Sequence, residues 1–142
     1  AKSGTGKSTH TKLWRKYFGN RAVIVNDDKP LLKVTGKGVL ACGTPWAGKD
    51  HLQNNIMVPL KAVCILERDT VNHIELIRKR DAWKMILQQS YRSDQPAVLS
   101  STIRLAEQIM DKTKLYRLGC NMSMQAVETS YNGMNTDIDY AD

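Results

Sequence analysis

A chain of 142 residues with 42% hydrophobic and 25% charged side chains is about one globular α/β domain, long enough to bury a core. No apolar run approaches a membrane span and no signal peptide is visible, so no membrane partner is expected. The net charge of +7 comes from 21 basic and 14 acidic residues, and its only tight cluster is Arg78-Lys79-Arg80. A solvated face, or attraction for an anionic nucleotide, accounts for such an excess better than a nucleic-acid groove does. Cys42, Cys64 and Cys120 are odd in number and lack metal-ligand spacing, which suits buried thiols in a reducing cytoplasm.

The first eight residues, Ala1 to Ser8, read A-x-x-x-x-G-K-S, a Walker A loop with Ala in place of its first Gly. In such a loop successive backbone N–H groups surround phosphate, the Lys meets the β/γ oxygens, and the Ser hydroxyl reaches Mg²⁺. The following helix directs its positive end at the same anion. Ser3, Gly4, Thr5, Gly6, Lys7, Ser8 and Thr9 are therefore the candidate nucleotide contacts, with Lys7 also catalytic. A phosphate loop ordinarily leaves the end of a buried strand. The expectation is an N-terminally truncated fragment lacking a central strand, with an apolar groove exposed in its place.

From Lys7 to about Phe18 the spacing predicts a helix, with Leu13/Tyr17 and Trp14/Phe18 as i,i+4 pairs and Lys12, Arg15 and Lys16 on its exposed face. Gly19-Asn20 ends it. Ala22 to Val25 reads as a short buried strand. Leu31–Val34 and Val39–Cys42 flank Thr35-Gly36-Lys37-Gly38, a hairpin signal. Gly43 to Asn55 is a polar loop. Strands follow at Leu60–Leu66 and His73–Ile77. Helices are predicted over Asp81 to about Tyr91 and over Pro96 to about Met110, the second with Leu99, Ile103, Ala106 and Met110 on one face. A strand at Lys114–Leu118 precedes a last helix, capped by Asn121 and running to about Tyr131. The domain is expected over residues 1–134, with a loose acidic tail at 135–142.

Two further clusters carry chemistry. Asn26-Asp27-Asp28 follows the first strand, at the rim where open α/β sheets place ligands. One carboxylate can hold Mg²⁺ and the other can accept a proton in phosphotransfer. The plain alternative is a turn, because Asp and Pro favour turns. Gly43-Thr44-Pro45-Trp46-Ala47-Gly48-Lys49 can bring backbone close to phosphate, with Lys49 meeting a transferring phosphoryl group and Trp46 covering the site. A structural turn is the equal alternative. Arg68 can stabilise transition-state charge or pair with Glu67 or Asp69. Asn54 and Asn55 can position an acceptor. His10 reads as a capping or packing residue, and Trp83, Met122, Met124 and Met134 as core or helix filling.

The SGTGKS loop, the early NDD and the hairpin after it resemble the catalytic domain of HPr serine kinase/phosphorylase and the related nucleotide core of phosphoenolpyruvate carboxykinase. The GTPW-x-GK loop is similar to that of bacterial HPr-kinase-like proteins. The resemblance implies a P-loop nucleotide-binding α/β domain with a mixed sheet and flanking helices. It implies a cytoplasmic Mg·ATP-dependent kinase that moves the γ-phosphoryl group to a hydroxyl, such as a serine of a protein or peptide. It assigns Lys7 to phosphate, Ser8 and Asp28 to Mg²⁺, and Asp27, the first acid of the motif, to the general base. Homo-oligomers are common among the HPr enzymes. A small-molecule kinase and a non-catalytic nucleotide sensor stand as alternatives.

Overall fold

The computed structural model describes residues 4–46, 48, 51–91 and 93–136. Four helices and two small sheets make it a mixed α/β fold. Helix α1 spans Lys7–Phe18 and runs into a 3-10 turn at Gly19–Arg21. Strands β1 (Leu31–Thr35), β2 (Gly38–Cys42) and β3 (Met57–Pro59) form an antiparallel sheet in sequence order. The β1–β2 hairpin closes at Thr35 opposite Gly38, as the turn chemistry predicts.

The second sheet is built from β4 (Ala62–Arg68), β5 (His73–Leu76) and β6 (Lys114–Cys120). Its order is β4-β6-β5, with β4 parallel and β5 antiparallel to β6. Side chains on a strand alternate between faces. Ile65 and Leu115 accordingly join one cluster with Ile77, Ala82 and Met110. Leu66, Leu118 and Cys120 join another with Ala126, Cys64 and Ile74. Helices α2 (Lys79–Gln89) and α3 (Pro96–Lys112) supply Ala82 and Met110 to the first face, while α4 (Met124–Asn135) supplies Ala126 to the second. The result is a sheet covered on both faces. Pro96 opens α3 at its first turn, where a missing N–H costs nothing.

Several expectations need correction. The single mixed sheet is two sheets. Ala22–Val25 carries no strand: it is irregular, and an isolated bridge joins Asn26 to Gln53 just after it. The Val25 carbonyl accepts the Asn54 N–H at 3.0 Å, and the Ile24 carbonyl accepts Asn54 Nδ2 at 2.7 Å. These bonds are too few for a ladder, and Val23 remains 61% exposed. β3 was not anticipated, and the strand expected from Leu60 begins at Ala62. Asn121 does not cap α4. It accepts the Ser123 N–H at 3.0 Å, and Ser123 occupies the cap position. Met122 is exposed, not core. The tail expected from residue 135 falls from residue 137 onward outside the described residues, and Asn135 ends α4.

Helix α4 lies close enough to β5 that a Cβ at Gly133 would overlap Ile74 Cγ2. Ile is branched at Cβ and cannot swing that methyl away cheaply. Gly133→Ala is expected to destabilise by about 1–3 kcal/mol, the range for overpacking, despite its better helix propensity. Urea unfolding checks this, and combining it with Ile74→Ala should recover a large part of the loss. An unchanged midpoint would show that α4 can shift freely on the sheet.

Candidate functional site

Of the residues that the sequence motif spans, Gly4, Thr5 and Gly6 lie immediately ahead of α1, and Lys7, Ser8 and Thr9 form its first turn. Gly4 and Gly6 have φ of 78° and 111°, in the left-handed region that residues with a Cβ avoid. The first i→i−4 bond of the helix runs from the His10 N–H to the Gly6 carbonyl at 2.9 Å. Amides ahead of that bond have no acceptor within the helix. Gly6 at the N-cap offers no side-chain cap, and the first turn carries no acidic residue. Ser8 and Thr9 are exposed there. Such an end favours an anion on both hydrogen-bonding and dipole grounds.

Helix α1 contributes no buried residue, so its position depends on contacts along one side. Trp14 provides them. Its indole N–H is shared between His10 Nε2 at 3.0 Å and Ser130 Oγ of α4 at 3.2 Å. Ser130 is buried, and its hydroxyl donates to the Val127 carbonyl at 2.9 Å. Phe18 and Tyr131 pack at 4.8 Å between ring centroids beside this junction. His10 is therefore a packing residue, with Nε2 as acceptor and the proton on Nδ1. Nδ1 is buried without a hydrogen-bond partner among the described residues.

The NDD segment forms an Asx turn. Asn26 Oδ1 accepts the N–H groups of Asp28 and Lys29 at 2.8 and 2.7 Å. Asn26 Nδ2 donates across to Thr44 Oγ1 at 2.9 Å and to the Trp46 carbonyl at 2.8 Å. Asp27 accepts the Gly48 N–H on Oδ1 at 2.6 Å. The turn reading and the second loop are thus one unit, in which a single amide side chain aligns residues 26–29 with residues 44–46. Asp27 is half-buried against this loop, while Asp28 is exposed. Trp46 is 69% exposed and is no core residue. Ser3 and Lys49 lie outside the described residues, as does the start of the loop before Gly4.

A groove of about 580 Å³ joins two of these clusters. Lys7, Trp14 and Arg15 of α1 line it together with the 22–26 segment, Asn26 included, and with Cys64 and Leu66 of β4. This groove lies between β4 and residues 22–26. Burial, with the nearby Cys120 thiol adding to it, pushes the Cys64 thiol up to about 12, so it stays protonated at neutral pH.

Arg68 does not pair with Glu67 or Asp69. Glu67 is taken by Arg117 at 3.4 Å, and the Asp69 carboxylate is taken by the Thr70 and Val71 N–H groups. Arg68 instead donates to the Gly4 carbonyl at 2.5 Å and to the Thr5 carbonyl at 3.4 Å. Asn54 holds the Ile24 backbone and is structural. His73 lies over Gly119 and accompanies Asp69 at 3.8 Å. Two contributors were missed from sequence: Asn26 as the organiser of both loops, and Arg68 as a loop contact. The Asn-Asp-Asp-Lys-Pro turn signal could have found the first. No local signal marks the second.

Among the described residues no group of three or more His, Cys, Asp or Glu could hold a metal ion. A nucleotide-bound Mg²⁺ takes only one or two protein oxygens, the rest coming from phosphate and water. The exposed Ser8 hydroxyl and Asp28 carboxylate are hard oxygen donors of that kind. No helix among the described residues is long and apolar enough to cross a membrane. No family model matches this chain, and neither a curated protein nor a solved structure matches it.

Burial holds the His10 imidazole below its ordinary value. The unfolded chain then binds a proton near pH 6.5 that the native state refuses, so stability rises with pH through this window. The contribution is complete above about pH 6.5 and is lost as pH falls toward the lowered native value. Asp69, held below the usual carboxylate range by the Val71 and Thr70 amides, adds a loss only at more acidic pH. The urea midpoint should therefore fall between pH 7.5 and pH 5.5, and His10→Gln should flatten that fall. A wild-type midpoint independent of pH across this range would contradict the neutral packing role.

Proposed function

We propose that this protein is a Mg·ATP-dependent phosphotransferase acting on a hydroxyl acceptor, with a serine of a protein or peptide as the favoured class. The observation that carries this reading is convergence. Lys7 and Asn26 line one groove, and the turn that Asn26 organises also presents Asp27 and Asp28 and grips the Gly48 segment. The early NDD and the GTPW-x-GK loop are thus physically connected, as a shared site requires.

In this reading the amides of residues 3–9 and the Lys7 ammonium hold the β- and γ-phosphates. Ser8 and Asp28 hold Mg²⁺, which when bound neutralises phosphate charge. The acceptor oxygen attacks the γ-phosphorus while the bond to the β–γ bridging oxygen breaks, and ADP leaves. Asp27 takes the acceptor's proton. Its carboxylate, fixed by the Gly48 N–H, has a defined direction, which a general base needs. Lys49 supplies positive charge to the transferring group. The resemblance to HPr serine kinase supports the same assignment of Lys7, Ser8, Asp27 and Asp28.

The test has two parts. Titration with Mg·ATP measures binding, and γ-labelled ATP then reports transfer to protein, to a small molecule or to nothing. Label on a small molecule would replace the protein acceptor, and binding without transfer would leave a nucleotide sensor. Asp27→Asn should keep Mg·ATP affinity and slow single-turnover transfer by about 10²–10⁴-fold, the span for a lost general base. Asp28→Asn should instead raise the Mg²⁺ concentration needed for binding. Identical profiles for the two variants would remove the division of labour.

A further inference from the structure

We infer that Arg68 is a positioning residue of the phosphate loop, one that aims loop amides at the bound anion. The inference rests on the phosphate-binding reading of residues 3–9. Arg68 ends β4, opposite Cys120 of β6, and its guanidinium reaches a segment more than sixty positions earlier in the chain. It donates through one nitrogen to the Gly4 carbonyl at 2.5 Å and through Nε to the Thr5 carbonyl at 3.4 Å.

Peptide planarity turns these contacts into a constraint on donors. In a trans peptide the C=O of one residue and the N–H of the next point in opposite directions. Fixing the Gly4 carbonyl on Arg68 therefore directs the Thr5 N–H away from Arg68. Fixing the Thr5 carbonyl directs the Gly6 N–H the same way. Both glycines sit at positive φ, where the backbone has the most freedom to reorient its peptides. An outside tie is what such a loop needs.

The geometry also separates the two faces. Arg68 lines a small recess with Thr5, Gly6, Thr9 and Cys120, and Lys7 does not line it. Lys7 lines the large groove instead. Arg68 thus meets the loop from the recess side, while the Lys7 side chain lies on the groove side. A planar fork with several fixed donors suits two carbonyls better than a Lys ammonium does. The neighbouring carboxylates do not compete, since Glu67 faces Arg117 and Asp69 holds the amides of Thr70 and Val71.

The experiment uses inorganic tripolyphosphate and Mg·ATP as probes of the wild type, Arg68→Gln and Arg68→Lys. Arg68→Gln should weaken tripolyphosphate by about 10-fold, on the scale of lost charge-assisted hydrogen bonds, with a melting temperature close to wild type. Arg68→Lys should restore only part of the affinity. The dependence of log Kd on salt should keep its slope in both variants, because no direct phosphate contact is removed. The amide shifts of Thr5 and Gly6 should move in ligand-free Arg68→Gln. If the wild type binds and both variants bind equally well, the inference is overturned while the functional reading stands. A shallower salt slope with full recovery in Arg68→Lys would also overturn it, by making Arg68 a direct phosphate contact. A wild type that binds neither probe would overturn the functional reading, and this inference with it.

Discussion

Helix α1 is tied to α4 by one indole N–H. None of its residues is fully buried, and half-buried Leu13, Trp14 and Phe18 form its apolar side. Trp14 shares its donor between His10, one turn back on the same helix, and Ser130 on α4. Ser130 is buried and belongs to a helix whose Ala126 and Val127 are fully enclosed. Through that residue the loop inherits the rigidity of the β4-β6-β5 sheet. The aromatic contacts of Phe18 and Tyr131 widen the seam but lack the directionality of the hydrogen bonds. An amphipathic helix ordinarily docks by area; this one docks by an edge.

A second tie of the same kind joins the loops. Asn26 places its oxygen on two backbone N–H groups of its own turn and its nitrogen on Thr44 and Trp46. Each such bond contributes about 0.5–1.5 kcal/mol net, against about 1.5–3 kcal/mol for burying a large apolar side chain. The core made by residues such as Leu118 and Tyr116 therefore sets the fold, and the Asn26 network sets only the relative position of two loops. Loops held by a few partly exposed hydrogen bonds belong to the low-stability end of a structure. Ligand-binding segments are drawn from that end, because they must adjust when a ligand arrives.

Legibility in the sequence follows the range of the interaction responsible. Helices α1 and α3 could be read because 3.6-residue periodicity and end signals such as Gly19 and Pro96 are local. The β1–β2 hairpin could be read because its turn is four residues long. Ala22–Val25 misled because an apolar run states a preference for burial, whereas a strand also requires an edge to pair with, and among the described residues only Asn54 and Gln53 meet this segment and Asn26 after it. β3 is three residues ending in Pro59 and carries no periodic signal. The roles of Arg68 and Asn26 rest on contacts 64 and 18–20 positions away in sequence, so the residue type was visible but its partner was not. The positive-φ glycines and the helix start after them could be read because both are encoded within six residues.

The two acids illustrate how a fold converts adjacency into difference. Asp27 and Asp28 are neighbours in sequence but lie in a turn, not on a strand. Asn26 separates their settings by fixing the Asp28 and Lys29 amides, which sets the direction of the chain just after Asp27. Asp27 then turns onto the Gly48 N–H and becomes half-buried, while Asp28 remains exposed. The tether limits the orientations open to Asp27, whereas exposure leaves Asp28 free to meet solvent and small ions. A base and a metal ligand make those two different demands: a fixed direction toward one proton for the first, and exchangeable oxygen coordination for the second. An Asx turn at the start of the segment is thus sufficient to give two adjacent acids two different settings, and the proposed reading uses that difference.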